Sequence, residues 1–406
     1  MLKNKLLQIN VSVNFGSTGK IAEQIGQLAI DAGWESYIAY GRFYNSSSSY
    51  MIKIGTKLNV LWHVLLSRLF DYHGLASVIA TKRLIRMIKQ ISPDIIHLHN
   101  IHGYYLNYKI LFEYLNSTDI PLVWTLHDCW PFTGHCAHFV IADCYHWMEG
   151  GCGNCPLYKR YPLSMTDFSS RNYRIKKRLF TSNSNIHFVT VSKWLQDLLA
   201  QSFLKNSNSN VIYNGIDLQL FNKNTAKPVA LTITENDKII LGVSSVWTAS
   251  KGLDDFKKLR SKLPSNIKII LVGLKPEQIQ ELPDGIIGVE RTQSAAHLAG
   301  YYTMANVFVN PTYADTFPTV NLEALACGTP VITYKTGGSP EAITAQTGYI
   351  VEQGDIDALC EAINYVLQKG KTHYEQPCRQ RAEEYFDKTK CYQKYIELYK
   401  QILSHK

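Results

Sequence analysis

Two carboxylates, Asp315 and Glu323, stand eight positions apart inside NPTYADTFPTVNLEALACGTPVITYKTGGSPE, which runs from Asn310 to Glu341. After Asp315, FPTVNLEALACG reads as a helix start that carries Glu323, with Pro318 near its first turn and Gly328 past its end. The first-turn amides of Thr319, Val320 and Asn321 can hold a diphosphate, and Glu323, one turn further in, can accept from a ribose diol. A plain helix cap explains the proline and the glycine, but not the two carboxylates beside them.

A second concentration of reactive side chains is HDCWPFTGHCAHFVIADCYHWMEGGCGNCP, His127 to Pro156, with five cysteines and four histidines in 30 residues. Cys136, Cys144, Cys152 and Cys155 end in a CxxC step that lets two thiolates share one tetrahedral ion, and the other two complete a structural zinc set. Reduced thiols in an irregular loop are the competing reading. Disulfides do not suit a reducing compartment, and no thioredoxin-like pattern surrounds the CxxC. A third segment, NFGSTGK at Asn14 to Lys20, has Asn14 and Ile21 where a P-loop needs Gly and Ser or Thr. That excludes nucleotide hydrolysis of that type and leaves a glycine turn feeding a helix amino terminus.

These segments follow strand-like apolar runs. KLLQINVSV, ESYIAYG, DIIHLH, PLVWTLHD and IHFVTVS come first, then KIILGVSSV, IKIILVG, VFVNPTY and PVITYK, separated by helical stretches. This alternation predicts parallel sheets covered by helices, an α/β fold in which ligands bind beyond the carboxyl ends of strands. With 406 residues the chain exceeds a single core, and turn-forming residues cluster from Asn214 to Lys238 as the expected linker.

Residues 1–220 hold 21 Lys and Arg against 13 Asp and Glu, so nearly all of the net +9 belongs to the first half. Such a half can face anionic lipid or an acidic substrate. Its densest part, RNYRIKKRLF at Arg171 to Phe180, reads either as a solvated helix face or as a lipid contact. No nucleic-acid motif accompanies it. The apolar run Leu58 to Phe70 is shorter than the ~20 residues a membrane span needs. The amino terminus has no signal-peptide pattern, so a cytoplasmic protein is expected.

At EALACGTPVI and GGSPE, with the Asp315/Glu323 spacing, the chain resembles the retaining, nucleotide-sugar-dependent glycosyltransferases of family 4 (glycosyl transferases group 1). NGID at Asn214 to Asp217 and the tail YFDKTKCYQKYIELYKQIL resemble other segments of that family, while PDIIHLHNIHGYYLN and WTLHDCWPFTGHC are similar to its bacterial capsule and exopolysaccharide subgroup. The resemblance implies the GT-B fold, two facing Rossmann-like domains with a cleft between them. It implies an acceptor-side domain over residues 1–220 with a cysteine-rich insertion at about 129–165, a donor domain over 221–385, and a helix at 386–406 packing back on the first domain.

The family signature implies that Glu323 bonds the ribose and that amides near Thr319 and Val320 hold the diphosphate. Asp315, where the family has glutamate, would contact the donor sugar. Lys251 matches the lysine that neutralises the leaving diphosphate; the arginine five residues earlier is replaced by Val246, so either the leaving group is held less tightly or another cation such as Lys275 or Arg291 substitutes. His127 matches a histidine reaching the transferred sugar, and Gly16, Ser17 and Ser245 fall in donor-side loops. His99, Asn100 and Tyr104 are acceptor-side candidates. The implied reaction moves a sugar from a nucleotide diphosphate to a lipid-linked glycan hydroxyl with retention, with no catalytic metal, at the inner membrane face. A nucleotide-sugar epimerase and a non-catalytic sugar-nucleotide-binding protein are the competing functions.

Overall fold

KLLQINVSV is buried along nearly all of its length because it forms the middle of a sheet and meets water on neither face. The computed structural model describes residues 3–224, 234 and 236–404. They form two units, one holding the described residues up to 212 together with those from 392 on, the other the described residues between 213 and 391.

The first unit carries β1 (Lys5–Val13), β2 (Glu35–Tyr44), β3 (Tyr50–Lys53), β4 (Ile95–Leu98), β5 (Leu122–Leu126), β6 (Ile186–Thr190) and β7 (Asn208–Val211). Their spatial order is β3-β2-β1-β4-β5-β6-β7, every pairing parallel. Connections run through α1 (Gly16–Asp31), α2 (Lys57–Phe70), α3 (Val78–Ile91), α4 (Tyr108–Leu115), α5 (Ser169–Thr181) and α6 (Lys193–Leu199). The strand order reverses direction between β1 and β4, which makes the loops after those two strands the expected binding place.

The second unit repeats the scheme with β8 (Lys238–Val243), α7 (Leu253–Arg260), β9 (Ile267–Val272), α8 (Pro276–Gln280), β10 (Ile286–Val289), α9 (Ala295–Met304), β11 (Val307–Asn310), α10 (Thr319–Ala326), β12 (Val331–Tyr334) and β13 (Gly348–Val351), followed by α11 (Ile356–Lys369) and α12 (Lys371–Tyr385). Its order, β10-β9-β8-β11-β12-β13, is again all parallel and reverses between β8 and β11. A last helix, α13 (Lys388–Ser404), begins in the second unit and ends in the first. There Tyr399 lies 2.6 Å from His97 Nδ1, and Thr125 donates to Tyr395 at 3.1 Å, deep in the first core.

The border falls at residue 212 rather than 220, and the return to the first unit begins at 392 rather than 386. The reason is local: Ile216 bridges Asp387, and Asp217 pairs with Lys388 at 2.6 Å, so NGID stays with the second unit. The expected linker, Asn214 to Lys238, lies partly outside the described residues. The cysteine-rich stretch is irregular, with two short 3-10 turns, Trp130–Phe132 and Phe139–Ala142. RNYRIKKRLF turns Arg174, Lys177 and Arg178 to solvent, as a solvated helix face does. It forms α5, whose Tyr173, Lys176, Leu179 and Phe180 are buried, with Lys176 Nζ donating to the carbonyls of Trp130 (2.7 Å) and Thr133 (3.0 Å). Among the described residues no helix is long and apolar enough to cross a membrane.

Candidate functional site

In the second unit the loops after β8 and β11 meet at the reversal point, and each delivers one charge. The first loop ends in a 3-10 turn, Ala249–Lys251, closed by Gly252 at φ 74°, where a Cβ would come within 2.3 Å of the Pro311 carbonyl oxygen. Only glycine permits that approach, and it seats Lys251 against the second loop. Lys251 Nζ donates to Asp315 Oδ2 at 2.8 Å and lies 3.4 Å from the Ala314 carbonyl. An ion pair this exposed contributes about 0–1 kcal/mol of stability, so the pair is better understood by the charge it presents than by what it holds together.

The loop bearing Asp315 is itself tied down. Buried Asp255 accepts from Tyr313 at 2.7 Å and from Tyr334 at 3.0 Å, and the Tyr313 amide donates to the Ser250 carbonyl at 2.8 Å. Beyond it α10 starts at Thr319 after Pro318, with no side chain capping its amides. Glu323 is partly buried and accepts from the hydroxyl of buried Tyr302 at 2.8 Å. Thr319 and Val320 sit at the helix start as expected. Asn321 does not present its amide: that amide donates to the Pro318 carbonyl at 3.2 Å, and its side chain is locked between Asn310 and Ser339, each at 2.9 Å. Its role is to pin α10 to the sheet. Ser245 and Val246 are exposed after β8, while Lys275 and Arg291 are exposed after β9 and β10, one and two strands further out.

In the first unit the same logic gathers the other candidates. Gly16 (φ 65°) and Ser17 are exposed where β1 turns into α1, and Gly19 packs so tightly that a Cβ would come within 2.7 Å of Ser12 Oγ. Asn100 and Tyr104 follow β4, and His127 follows β5. The Asn100 amide donates to Asn10 Oδ1 at 3.3 Å and its carbonyl accepts from Tyr105 at 2.8 Å. Burial raises the Tyr104 phenol above its usual range.

His99 is corrected as an acceptor contact, because its side chain is buried and spoken for at both nitrogens. Gln8 Nε2 donates to the Ala22 carbonyl at 2.8 Å, so Gln8 Oε1 accepts from His99 Nε2 at 3.0 Å. His99 Nδ1 must then accept from His127 Nε2 at 3.1 Å. The chain of donors thus fixes the His127 tautomer, with the proton on Nε2 and none on Nδ1. Burial holds the His127 ring down to about 4, against the nearby Asp128 carboxylate, which pulls it up. Burial alone would raise Asp128, but His102 at 2.8 Å and the Trp130 amide bring it to about 2.

Two family profiles match the chain, Glycosyltransferase Family 4 over residues 24–220 and Glycosyl transferases group 1 over residues 237–369. A relative from Escherichia coli K12 named as a colanic acid biosynthesis glycosyl transferase, WcaC, is 23% identical over 366 residues, 86% of this chain and 88% of that one. Sucrose-phosphate synthase from Thermosynechococcus elongatus superposes with a TM-score of 0.74 at 18% identity, covering 100% of both chains. HepE from Anabaena, solved with UDP and glucose, gives 0.64 at 16% identity, covering 97% of this chain and 99% of that one.

The chain is a glycosyltransferase of the GT-B fold.

Within the transferase the four cysteines line one cavity of about 10 Å³, room for about one water-sized sphere, shared with His135 and His146. A hydrogen bond from the Cys136 thiol lowers the Cys155 thiol below its usual range, and Cys152 accepts from the Gly134 amide at 3.1 Å. None of the nine cysteines forms a disulfide. Among the described residues no group of three or more His, Cys, Asp or Glu is placed to hold a metal ion. His135, beside them, is held by Asp71 at 2.7 Å through Nδ1, and its Nε2 has no hydrogen-bond partner.

Gln8, Tyr302 and Asp255 are the positioning residues of the transferase that sequence reading passed over. Gln8 had a signal: a polar residue in the middle of an otherwise buried strand. Tyr302 and Asp255 had none, since their partners lie 21 and 58 or more positions away.

Proposed function

We propose that this glycosyltransferase moves a sugar from a nucleoside diphosphate to a hydroxyl of a glycan acceptor carried on lipid, with retained configuration, in the synthesis of a bacterial surface polysaccharide. The observation that carries the reading is the Lys251–Asp315 pair at the β8/β11 reversal point, next to the α10 amino terminus and Glu323. Lys251 would exchange Asp315 for the donor diphosphate and neutralise the leaving group. Asp315 would then be released toward the sugar hydroxyls, the amides of Thr319 and Val320 would hold phosphate oxygens, and Glu323, oriented by Tyr302, would accept from the ribose. Departure of the diphosphate dominates the barrier, so positioned charge supplies most of the acceleration. His127, neutral and with Nδ1 as an acceptor, would address the transferred sugar rather than carry charge. The HepE complex supports a uridine nucleotide among the donors to try first, and the colanic acid relative supports a glycan acceptor.

Purified protein incubated with a panel of nucleotide sugars, with and without a polyprenyl-linked glycan, tests the reading. Acceptor-dependent release of nucleoside diphosphate with a new glycoside of retained configuration is expected. Interconversion of donors without release would replace transfer by epimerisation, and an inverted product would remove the retaining assignment.

A further inference from the structure

Helix α2 is built with its polarity reversed. Its buried residues are His63 and Ser67; His63 Nδ1 lies 2.8 Å from Ser77 Oγ, and Nε2 accepts from the Gly74 amide at 3.0 Å. The outward face carries Leu58, Leu61, Trp62, Leu65 and Leu69, at i, i+3, i+4, i+7 and i+11, with exposures of 75, 65, 58, 45 and 38%. That is the stripe a helix ordinarily turns into a core. It continues onto a neighbouring segment: the Met165 amide donates to the Arg68 carbonyl at 2.6 Å and Thr166 Oγ1 to the Leu69 carbonyl at 2.8 Å. This sets the exposed Leu163 and Met165 beside the carboxyl end of α2. A contiguous apolar surface of this kind marks a protein partner or a membrane.

The charges around it select the occupant. From Arg42 to Ser92 the chain holds eight Lys and Arg and one acidic residue, Asp71. Asp71 is itself buried against His135, so it offers no charge at the surface. Lys53, Lys57, Arg68, Lys82, Arg83 and Arg86 are all exposed. A second copy of the chain would set the same cations against each other across a two-fold axis. An anionic lipid surface satisfies both the stripe and its rim. At 14 residues α2 is roughly 21 Å long, too short to cross a bilayer and suited to lie in its headgroup layer, where Trp62 is at home.

We infer that α2, extended by Leu163 and Met165, is a membrane-docking face that inserts its apolar stripe into an anionic bilayer surface. The inference stands whether or not the acceptor is lipid-linked. Flotation of the full chain with phosphatidylcholine vesicles, with and without phosphatidylglycerol, tests it. The protein is expected to float with the anionic vesicles, to be released by added salt, and to stay down with neutral ones. The double variant Trp62→Glu/Leu65→Glu is expected to lose flotation while keeping its thermal melt and its turnover on a water-soluble acceptor; Leu61→Ser/Met165→Ser serves as a second, milder pair. A wild-type chain that ignores anionic vesicles, or variants that float like it, would overturn the inference. So would sedimentation without lipid showing a dimer that the same substitutions dissociate, which assigns the face to a second copy. Loss of transfer activity with intact flotation would count against the catalytic reading alone.

Discussion

His127 stays neutral down to about pH 4 because burial around its ring outweighs the Asp128 carboxylate. The folded value lies below the ordinary 6.5, so its contribution to stability is complete above pH 6.5 and is lost as pH falls from there toward about 4. Turnover measured across pH is therefore expected to show no acid limb near 6.5 that depends on this ring; one that vanishes in His127→Asn would contradict the assignment. Gln8→Leu removes the acceptor that orders the His99–His127 chain. One net hydrogen bond is about 1 kcal/mol, so turnover should drop roughly fivefold or more with the donor KM little changed. Lys251→Ala and Glu323→Ala are expected to lower turnover by about 10²–10³-fold, the scale of losing one preorganised electrostatic contact, without shifting the thermal melt. Wild-type rates in both would remove the site assignment.

At the scale of elements, the turn between β8 and α7 decides where Lys251 points. Gly252→Ala would press a methyl group against the Pro311 carbonyl from a left-handed backbone. It is expected to cost about 1–3 kcal/mol and to lower activity with it, read by thermal denaturation and donor turnover together. The cysteine-rich stretch poses the other question of this scale. Four thiols on one small cavity can be drawn onto an ion by rotation of their side chains, so a structural zinc remains our proposal there. Metal analysis of protein purified without a His-tag decides it: about one equivalent supports the proposal and none removes it.

At the scale of the whole molecule, the last helix is part of the first core although it is last in the chain. Tyr392, Tyr395 and Tyr399 are at most 1% exposed, and the hydroxyls of Tyr395 and Tyr399 bond Thr125 and His97. Ending the chain at residue 391 should leave the first unit without a stable fold, read by circular dichroism and by loss of soluble yield. Tyr399→Phe keeps the ring and loses one buried hydroxyl, so it is expected to cost only about 1–3 kcal/mol.

Strands β1, β2, β4, β5, β6, β8, β9, β11 and β12 and the parallel sheets they build were legible in the sequence, because buried parallel strands need continuous apolar runs and helices need their own period. The edge strands β3, β7, β10 and β13 were not: each pairs with a single neighbour, so less of it is buried and its pattern is weaker, down to NSNV in β7, which has one apolar residue. Residue type and spacing marked Asp315 and Glu323, and the family resemblance marked Lys251 and His127. They could not show that His99 and Asn321 face inward, since both depend on partners as far as 91 positions away. Nor could the sequence decide which face of α2 meets water. An apolar stripe reads the same whether it is buried or exposed, and only the tertiary structure, by burying His63 and Ser67 instead, turned it outward.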